Sequence, residues 1–459
     1  MKKTKHWLQR LALELNLEGF LSFGYRSSLP QRQLVVGYAA YSIIGMFLLS
    51  LPFASAEGIP WSDHLFTAVS AISTTGLSTV DVASQYSFFG QLVILLLIQL
   101  GSLGYMTLSS FIMLGLTRHL GSAKNKLFTQ QFSLPENMQH ANMVRNIVGF
   151  TFGFELLGVL LLYPYFVVHN VPQPLWSAVF HTVSAFGTAG FSIYTDNLMA
   201  FRADVYVNTV IMFLCYMGAM GFILMTDLAK VLFRRGHKIS FTTRIIVKIT
   251  CALSLLSAAH LYYFEPSIQQ YAPGERFMIS LFQSVSAMTT AGFNTINLGC
   301  IVPISLLILS FTMYIGASPS GTGGGLKSTT LSALYAYTRS KLGWQKEVSL
   351  MNHIIPSYRV ETAITTFIFY TFILFCGIYI MTLAESDSAN VLKITFEASS
   401  ALATTGLTSG ILGDITLCSK FTLIVLMFIG RVGVITLGNA LLLRSLAKPP
   451  HMRHDDLAV

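Results

Sequence analysis

Long apolar stretches alternate with short polar connections along the chain. Each stretch has about 20 residues or more, which is the length an α-helix needs to cross a hydrocarbon core of roughly 30 Å. The pattern predicts eight crossings, at 34–54, 86–115, 144–168, 203–232, 243–263, 301–335, 360–383 and 417–443. Hydrophobic residues make up 53% of the chain and charged residues 11%, against roughly 25% charged in soluble domains. The chain is therefore predicted to fold in a bilayer.

One short phrase lies between the two crossings of each successive pair. Its copies are FTAVSAISTTGLS (66–78), FHTVSAFGTAGFS (180–192), FQSVSAMTTAGFN (282–294) and FEASSALATTGLT (396–408). Their glycines are 114, 102 and 114 residues apart, far above the roughly 20–50 residues of a solenoid repeat. Four such copies predict four pseudo-repeats around one axis.

Each copy follows an apolar segment of about a dozen residues, such as 61–73 or 391–403, which is too short to cross a membrane. Backbone without helical hydrogen bonds is tolerated at membrane depth only where it is buried in protein or lines water. The predicted unit is therefore helix, pore helix, filter loop, helix. The expected fold class is an all-α membrane protein with four such units around a central cation pore.

The chemistry of four such loops points to a dehydrated cation. Carbonyl oxygens arranged around an axis can replace the water shell of an ion, and a central glycine permits the positive φ that turns carbonyls inward. Each pore helix also directs its negative dipole end at the filter. The alternative is that the glycines only permit close helix packing, but four in register after Thr-Thr or Thr-Ala favour a filter. Its expected residues are Thr74, Thr75, Gly76, Leu77, Thr188, Ala189, Gly190, Phe191, Thr290, Ala291, Gly292, Phe293, Thr404, Thr405, Gly406 and Leu407.

With these motifs the chain resembles the Trk/Ktr superfamily of bacterial potassium-uptake proteins, and most closely its Ktr branch of KtrB membrane subunits. The first 33 residues are too polar for the two additional N-terminal crossings of the Trk branch. The resemblance implies a cytoplasmic N-terminal segment, four repeats and a cytoplasmic tail, with K⁺ bound at the filter. The expected boundaries are 1–33, 34–118, 144–235, 243–340, 360–445 and 446–459.

The second crossing of the third repeat is interrupted by a polar, glycine-rich segment at 316–330. No helix continues through Pro319 followed by four glycines in five residues. The segment resembles the family's intramembrane gating loop, and a cytoplasmic loop between two ordinary helices is the alternative. The expected gate residues are Gly316, Ser318, Pro319, Gly321, Gly323, Gly324, Gly325, Lys327 and Arg431.

The same segment nearly reads as a phosphate-binding G-x-x-x-x-G-K-S/T at 321–328, but Leu326 stands where glycine is required. No α/β domain accompanies it. Nucleotide binding by this chain, and with it an ATP-driven pump, is therefore disfavoured. Histidines and carboxylates form no catalytic set, so no enzymatic activity and no cofactor on this chain are expected.

Arg431 and Glu155 lie inside predicted crossings, where ionisable side chains are costly and usually functional. The resemblance makes Arg431 a pore-facing barrier to cations, and a structural arginine bonded to carbonyls is the alternative. Glu155 lies on an outer helix and is interpreted as a structural carboxyl. Lys327 is expected to contact either Glu155 or a phosphate headgroup.

Basic residues predict the orientation. The connections on one side hold 23 Lys and Arg residues and those on the other side four, so both termini are predicted to be cytoplasmic. The net charge of +9 is thus a topology signal, and no nucleic-acid partner is expected. Acidic residues lie near the predicted outer ends, where they would concentrate cations or serve as solvated loop residues or helix caps: Glu57, Asp63, Asp81, Asp196, Asp204, Glu265, Glu275, Glu385, Asp387 and Asp414.

The sequence thus predicts a potassium-translocating pore subunit in the bacterial inner membrane, in contact with lipid. The resemblance further implies a homodimer on a cytosolic KtrA-type ring, which would hold ATP, ADP or NAD. Some members of the family depend on Na⁺, and these residues leave sodium coupling open. A poorly selective Na⁺/K⁺ channel is the nearest alternative, because Leu77, Phe191, Phe293 and Leu407 differ beside the glycines.

Overall fold

The fold is almost entirely α-helical. The structure, a computed structural model, describes residues 30–104, 140–233, 238–385 and 390–442. Strands in this part of the chain are limited to a two-stranded antiparallel hairpin, β1 (Ser349–Leu350) and β2 (His353–Ile354). The predicted all-α class is confirmed.

Sixteen α-helices are defined within the described ranges. The first eight are α1 (Pro30–Leu49), α2 (Trp61–Ile72), α3 (Val82–Gln85), α4 (Phe88–Leu103), α5 (His140–Val168), α6 (Pro174–Phe186), α7 (Val205–Phe233) and α8 (Phe241–Phe264). The remaining eight are α9 (Pro266–Gln269), α10 (Pro273–Met288), α11 (Pro303–Ile315), α12 (Ser328–Leu342), α13 (Ser357–Ala384), α14 (Val391–Leu402), α15 (Leu417–Val432) and α16 (Val434–Leu442). Short 3₁₀ turns lie at Met199–Phe201 and Leu298–Cys300.

Four of these helices, α5, α7, α8 and α13, are long and apolar enough to cross a membrane. The pair α15 and α16 is a fifth candidate, although it is bent by 94° and is not the straight crossing predicted over 417–443. The apolar helices Leu34–Leu49, Phe88–Leu103 and Pro303–Ile315 are shorter. Part of the predicted crossing 86–115 falls on residues 105–115, which lie outside the described residues.

A short helix lies at each place where a pore helix is predicted. These helices are α2, α6, α10 and α14, with 12, 13, 16 and 12 residues. Each carries a fully buried phenylalanine at the same position of the repeated phrase: Phe66, Phe180, Phe282 and Phe396. The flanking long helices pack around them, as α5 does against α6 and α8 against α10. The short helices are therefore the interior of the molecule and the long helices its exterior.

Candidate ion pathway

The four glycines of the repeated phrase lie in one closed ring. A Cβ atom added to Gly76 would lie 2.3 Å from the carbonyl oxygen of Ala189, in the next copy of the phrase. A Cβ atom added to Gly190 would lie 2.6 Å from the oxygen of Ala291, and one added to Gly292 would lie 2.1 Å from the oxygen of Thr405. A Cβ atom added to Gly406 would lie 2.0 Å from the oxygen of Thr75, in the first copy. The loops thus meet in sequence order around one centre, and only glycine fits at the contact.

The backbone of each loop alternates between ordinary and left-handed conformations. The threonine two residues before each glycine has a φ of 52°, 50°, 53° or 47°, at Thr74, Thr188, Thr290 and Thr404 respectively. The glycines follow with φ of 96°, 66°, 81° and 94°. A non-glycine residue in this region costs about 1–3 kcal/mol and persists only where the surroundings enforce it. Four strained threonines in register mark these loops as the functional centre.

The carbonyl groups between these threonines and glycines face no protein donor. Thr75, Ala189, Ala291 and Thr405 have no exposed surface, and among the described residues none donates a hydrogen bond to their carbonyl oxygens. Their own N–H groups bond back to the pore helices, as Thr75 N does to the oxygen of Ser70 at 2.8 Å. Buried carbonyls normally find a partner. A ring of four buried oxygens without donors fits a cation.

The ring has a two-plus-two character. Loops one and four read Thr-Thr-Gly-Leu, and loops two and three read Thr-Ala-Gly-Phe. Ser70 and Ser400 accept a hydrogen bond from the glycine N–H at 3.0 Å in the first pair. The corresponding Ser184 and Ser286 instead donate to the carbonyl oxygen after the glycine, at 2.8 and 2.7 Å. The four loops are therefore equivalent in backbone and unequal in side-chain support.

The helix after each loop is interrupted at a glycine with positive φ. These glycines are Gly104, Gly221, Gly316 and Gly433. Three residues earlier, Gly101, Gly218 and Gly430 lie against the last carbonyls of the preceding pore helices, with added Cβ atoms 1.9–2.1 Å from the oxygens of Ile72, Phe186 and Leu402. The interruption predicted for the third repeat alone thus recurs in the second and fourth, and in the first repeat the helix ends at Gly104. A G-x-x-G pattern at 101–104, 218–221 and 430–433 is its sequence signal.

The glycine-rich segment 316–327 lies on the pore-helix side of the ring. Thr322 N donates to the oxygen of Gly218 at 3.0 Å, and its hydroxyl contacts Phe186 O at 3.2 Å and Thr188 Oγ1 at 3.1 Å. Gly321 fits against Ala219, because an added Cβ would lie 1.9 Å from its oxygen. The segment is thereby fixed to the second repeat.

The same segment also contacts the third and fourth loops. Gly324 N donates to Thr290 Oγ1 at 2.7 Å, and a Cβ at Gly324 would lie 2.0 Å from the oxygen of Ala403 and 2.4 Å from Thr404 Oγ1. Three of the four strained threonines, Thr188, Thr290 and Thr404, are thus in contact with it. The segment lies across the pore-helix side of the ring.

Arg431 joins this segment to the first repeat. Its Nη1 donates to the carbonyl oxygen of Thr322 at 2.6 Å, and its Nη2 donates to the oxygen of Gly101. One side chain of α15 therefore bonds the segment and the end of α4 together. The bonds to carbonyls match the structural alternative for Arg431, and the barrier to cations stays a prediction.

Lys327 closes the segment on itself. Its ammonium donates to the carbonyl oxygens of Gly323 and Gly324, at 2.6 and 3.1 Å. The ammonium therefore bonds these carbonyls and not Glu155, which was one of the two contacts that the sequence left open. Gly316 and Gly325 pack at the base of the segment. Ser318 is buried and bonds to Ser320, while Pro319 is partly exposed.

Glu155 lies away from the ring on α5, where its Oε2 accepts from Gln99 Nε2 of α4 at 3.1 Å. This agrees with a structural carboxyl. The acids predicted as solvated loop residues or helix caps differ in the structure: Glu265 is the N-cap of α9, and Asp63 is bonded instead. Asp63 is buried and paired with Lys420, and Glu265 is buried with Ser267 and Val302 N–H groups on it.

Glu385 at the end of α13 is also bonded. Partial burial raises the pKa of its carboxyl, but hydrogen bonds from Ser419 and Thr416 outweigh this and hold the pKa below its ordinary value. Asp387 lies outside the described residues. The described part of the chain contains no cluster of three or more His, Cys, Asp or Glu side chains suited to a metal.

The glycine ring and the segment packed against it lie among apolar helices long enough to cross a membrane, so the fold is that of a helical membrane protein. The model of the family described as "TrkH: Cation transport protein" matches residues 31–450, and the chain belongs to this Trk/Ktr family.

Relatives and one solved structure agree with this assignment. The Ktr system potassium uptake protein B of Bacillus subtilis is 35% identical over 89% of this chain and 92% of that protein. The Potassium/sodium uptake protein NtpJ of Enterococcus hirae is 29% identical over 91% and 93%. The crystal structure of the potassium transporter TrkH from Vibrio parahaemolyticus is similar in fold, with a TM-score of 0.72 at 19% identity, covering 91% of this chain and 86% of that one.

Proposed function

We propose that this chain is the potassium-conducting membrane subunit of a Ktr-type uptake system. The observation that carries the proposal is the closed ring of buried carbonyls at Thr75, Ala189, Ala291 and Thr405. Oxygens held in this way by strained backbone replace the hydration shell of a cation. The names of the relatives in Bacillus subtilis and Vibrio alginolyticus, both potassium uptake proteins, indicate which cation. K⁺ moves inward along its electrochemical gradient.

The pore-forming residues keep the roles assigned from the sequence. The filter consists of the four Thr-x-Gly loops, and the segment 316–327 with Lys327 and Arg431 forms the gate. Both termini lie on the cytoplasmic side of the inner membrane. The filter then faces outward, and the gate closes the pore from the cytoplasmic side. Lys327 Nζ donates to the carbonyls of Gly323 and Gly324 and so holds the gate segment in its folded form.

A substitution that overpacks the contact between the gate and the second repeat tests this assignment. Gly321→Ala places a methyl group against the oxygen of Ala219, at a separation of 1.9 Å before relaxation. Overpacking of this kind costs about 1–3 kcal/mol, so the closed state is disfavoured by about tenfold and K⁺ flux into liposomes rises. Gly413→Ala is the matched control, because its added Cβ meets no atom within 4 Å. Equal flux in both variants would contradict a gating role for the segment.

A poorly selective Na⁺/K⁺ channel is the second candidate. It is favoured by the unequal side-chain support of the four loops and by the Enterococcus hirae relative, whose name includes both potassium and sodium. Parallel measurement of K⁺ and Na⁺ flux through the purified chain separates the two candidates. Near-equal fluxes would favour the second.

Regulation is proposed to come from a cytosolic partner. The proposed partner is a KtrA-type ring that holds ATP, ADP or NAD, with this chain on it as a homodimer. The relatives named as protein B of a Ktr system support a system of several subunits. An ATP-driven pump is disfavoured, since Lys327 in the near-phosphate-loop bonds to carbonyls of its own segment. Reconstitution with a purified ring tests the partnership: flux that differs between ATP and ADP supports it, and nucleotide-independent flux contradicts it.

A further inference from the structure

One position of the four pore helices is polar and completely buried. This position directly follows the buried phenylalanine of each repeated phrase. Its residues have no exposed surface: Thr67, His181, Gln283 and Glu397. Four different polar side chains occupy the same site inside a membrane protein, where an apolar residue would cost less. Such a set needs partners.

Three of the four side chains bond to the strand that leaves the filter. His181 Nε2 contacts Ser192 Oγ at 2.9 Å, while its Nδ1 contacts the oxygen of Ser177 at 2.8 Å. Gln283 Nε2 donates to Thr295 Oγ1 at 3.2 Å. Ser192 and Thr295 lie two and three residues past their filter glycines. Each side chain therefore ties its filter strand back to its own pore helix.

Glu397 makes the strongest of these ties. Its Oε1 accepts from Thr408 Oγ1 at 2.8 Å, from Ser409 N at 2.6 Å and from Ser409 Oγ at 2.8 Å. Thr408 directly follows Leu407, so the carboxylate fixes the strand beside Gly406. Hydrogen bonds to a charged acceptor are roughly twice as strong as those between neutral groups.

The same chemistry recurs in the loop that shares its sequence. Thr79, three residues past Gly76, donates to Asp63 Oδ1 at 2.6 Å. The two Thr-Thr-Gly-Leu strands are thus held by carboxylates, and the two Thr-Ala-Gly-Phe strands by an imidazole and an amide. The kind of tie follows the two-plus-two pattern of the ring.

We propose that Glu397 is a positioning residue for the filter and that it sets the discrimination between K⁺ and Na⁺. The inference rests on the proposed function. Carbonyls select an ion by size and field only if they keep their separation, and Glu397 fixes the strand that carries the Gly406 contact with Thr75. It touches no ion and acts through the strand.

The test measures the K⁺/Na⁺ flux ratio of the full chain in liposomes. Glu397→Ala is expected to lower the ratio about tenfold while Na⁺ flux persists, because the three hydrogen bonds that hold this segment are lost. Glu397→Gln retains an acceptor oxygen and is expected to restore most of the ratio, leaving a deficit of about two- to threefold. Asp414→Ala removes an exposed carboxylate from the same connection and should leave the ratio unchanged.

A Glu397→Ala protein with an unchanged ratio, or one without flux of either ion, would overturn the inference. If that variant does not reach the membrane, Ser409→Ala combined with Thr408→Val removes two donors from the strand side and must lower the ratio. An unchanged ratio there also overturns the inference. Wild-type protein without K⁺ preference would instead refute the proposed function itself, so the two failures are distinguishable.

Discussion

Gly292→Ala is expected to abolish selective K⁺ flux. The added methyl group would lie 2.1 Å from the carbonyl oxygen of Thr405, and the position has a φ of 81°. Alanine therefore meets both a steric overlap and left-handed strain, which together cost several kcal/mol and displace one carbonyl of the ring. We expect at least a tenfold loss of K⁺ flux, or of the K⁺/Na⁺ ratio, in liposomes at equal protein content.

Gly274→Ala is the control for this result. Gly274 lies near the start of the same pore helix, α10, and a Cβ there meets no atom within 4 Å. The control should behave as wild type in flux and selectivity. If Gly292→Ala also retained both, the glycine ring would not be the filter.

Arg431→Ala is expected to raise K⁺ flux. The change removes the bonds from the guanidinium to Thr322 O and Gly101 O, which connect the gating segment to the first repeat. Hydrogen bonds that involve a charged group contribute about 1.5–3 kcal/mol each, so the open state should gain about tenfold or more in population. Removal of the positive charge acts in the same direction. The measurement is initial K⁺ uptake by liposomes under a fixed gradient.

Arg359→Ala removes an exposed basic residue from the first turn of α13. This control should leave flux unchanged. A correctly inserted Arg431→Ala protein with unchanged or reduced flux would assign the arginine a purely structural role. Combination with Gly321→Ala then tests whether both changes release the same segment. Flux that rises no further in the double variant would indicate a shared gate.

The sequence alone predicts the parts of this site that repeat. Four Thr-x-Gly phrases at intervals above 100 residues identify the loops, and Pro319 with its glycines identifies the interrupted helix. Both signals are informative because positive φ favours glycine and because proline cannot continue a helix. The ring order and its carbonyl contacts need coordinates, since they join residues more than 100 positions apart.

Other features escape sequence reasoning for identifiable physical reasons. Gly104, Gly221 and Gly433 stand at breaks or ends of apolar helices. Because glycine is common in membrane helices for packing, a G-x-x-G pattern does not by itself predict such a break. Lys327 bonds to carbonyls that any lysine can reach, and only the folded segment selects them. Glu397 and His181 occupy the same position of the repeated phrase, but only the folded chain shows that each bonds a residue just past its filter glycine.

The most direct test of the account is K⁺ and Na⁺ flux into liposomes that contain this chain alone, without ATP. The account predicts K⁺ flux down its gradient, in excess of Na⁺ flux, and rising in the Arg431→Ala protein. Flux that requires ATP, or equal passage of both ions, would contradict a passive potassium filter built from the four glycine loops.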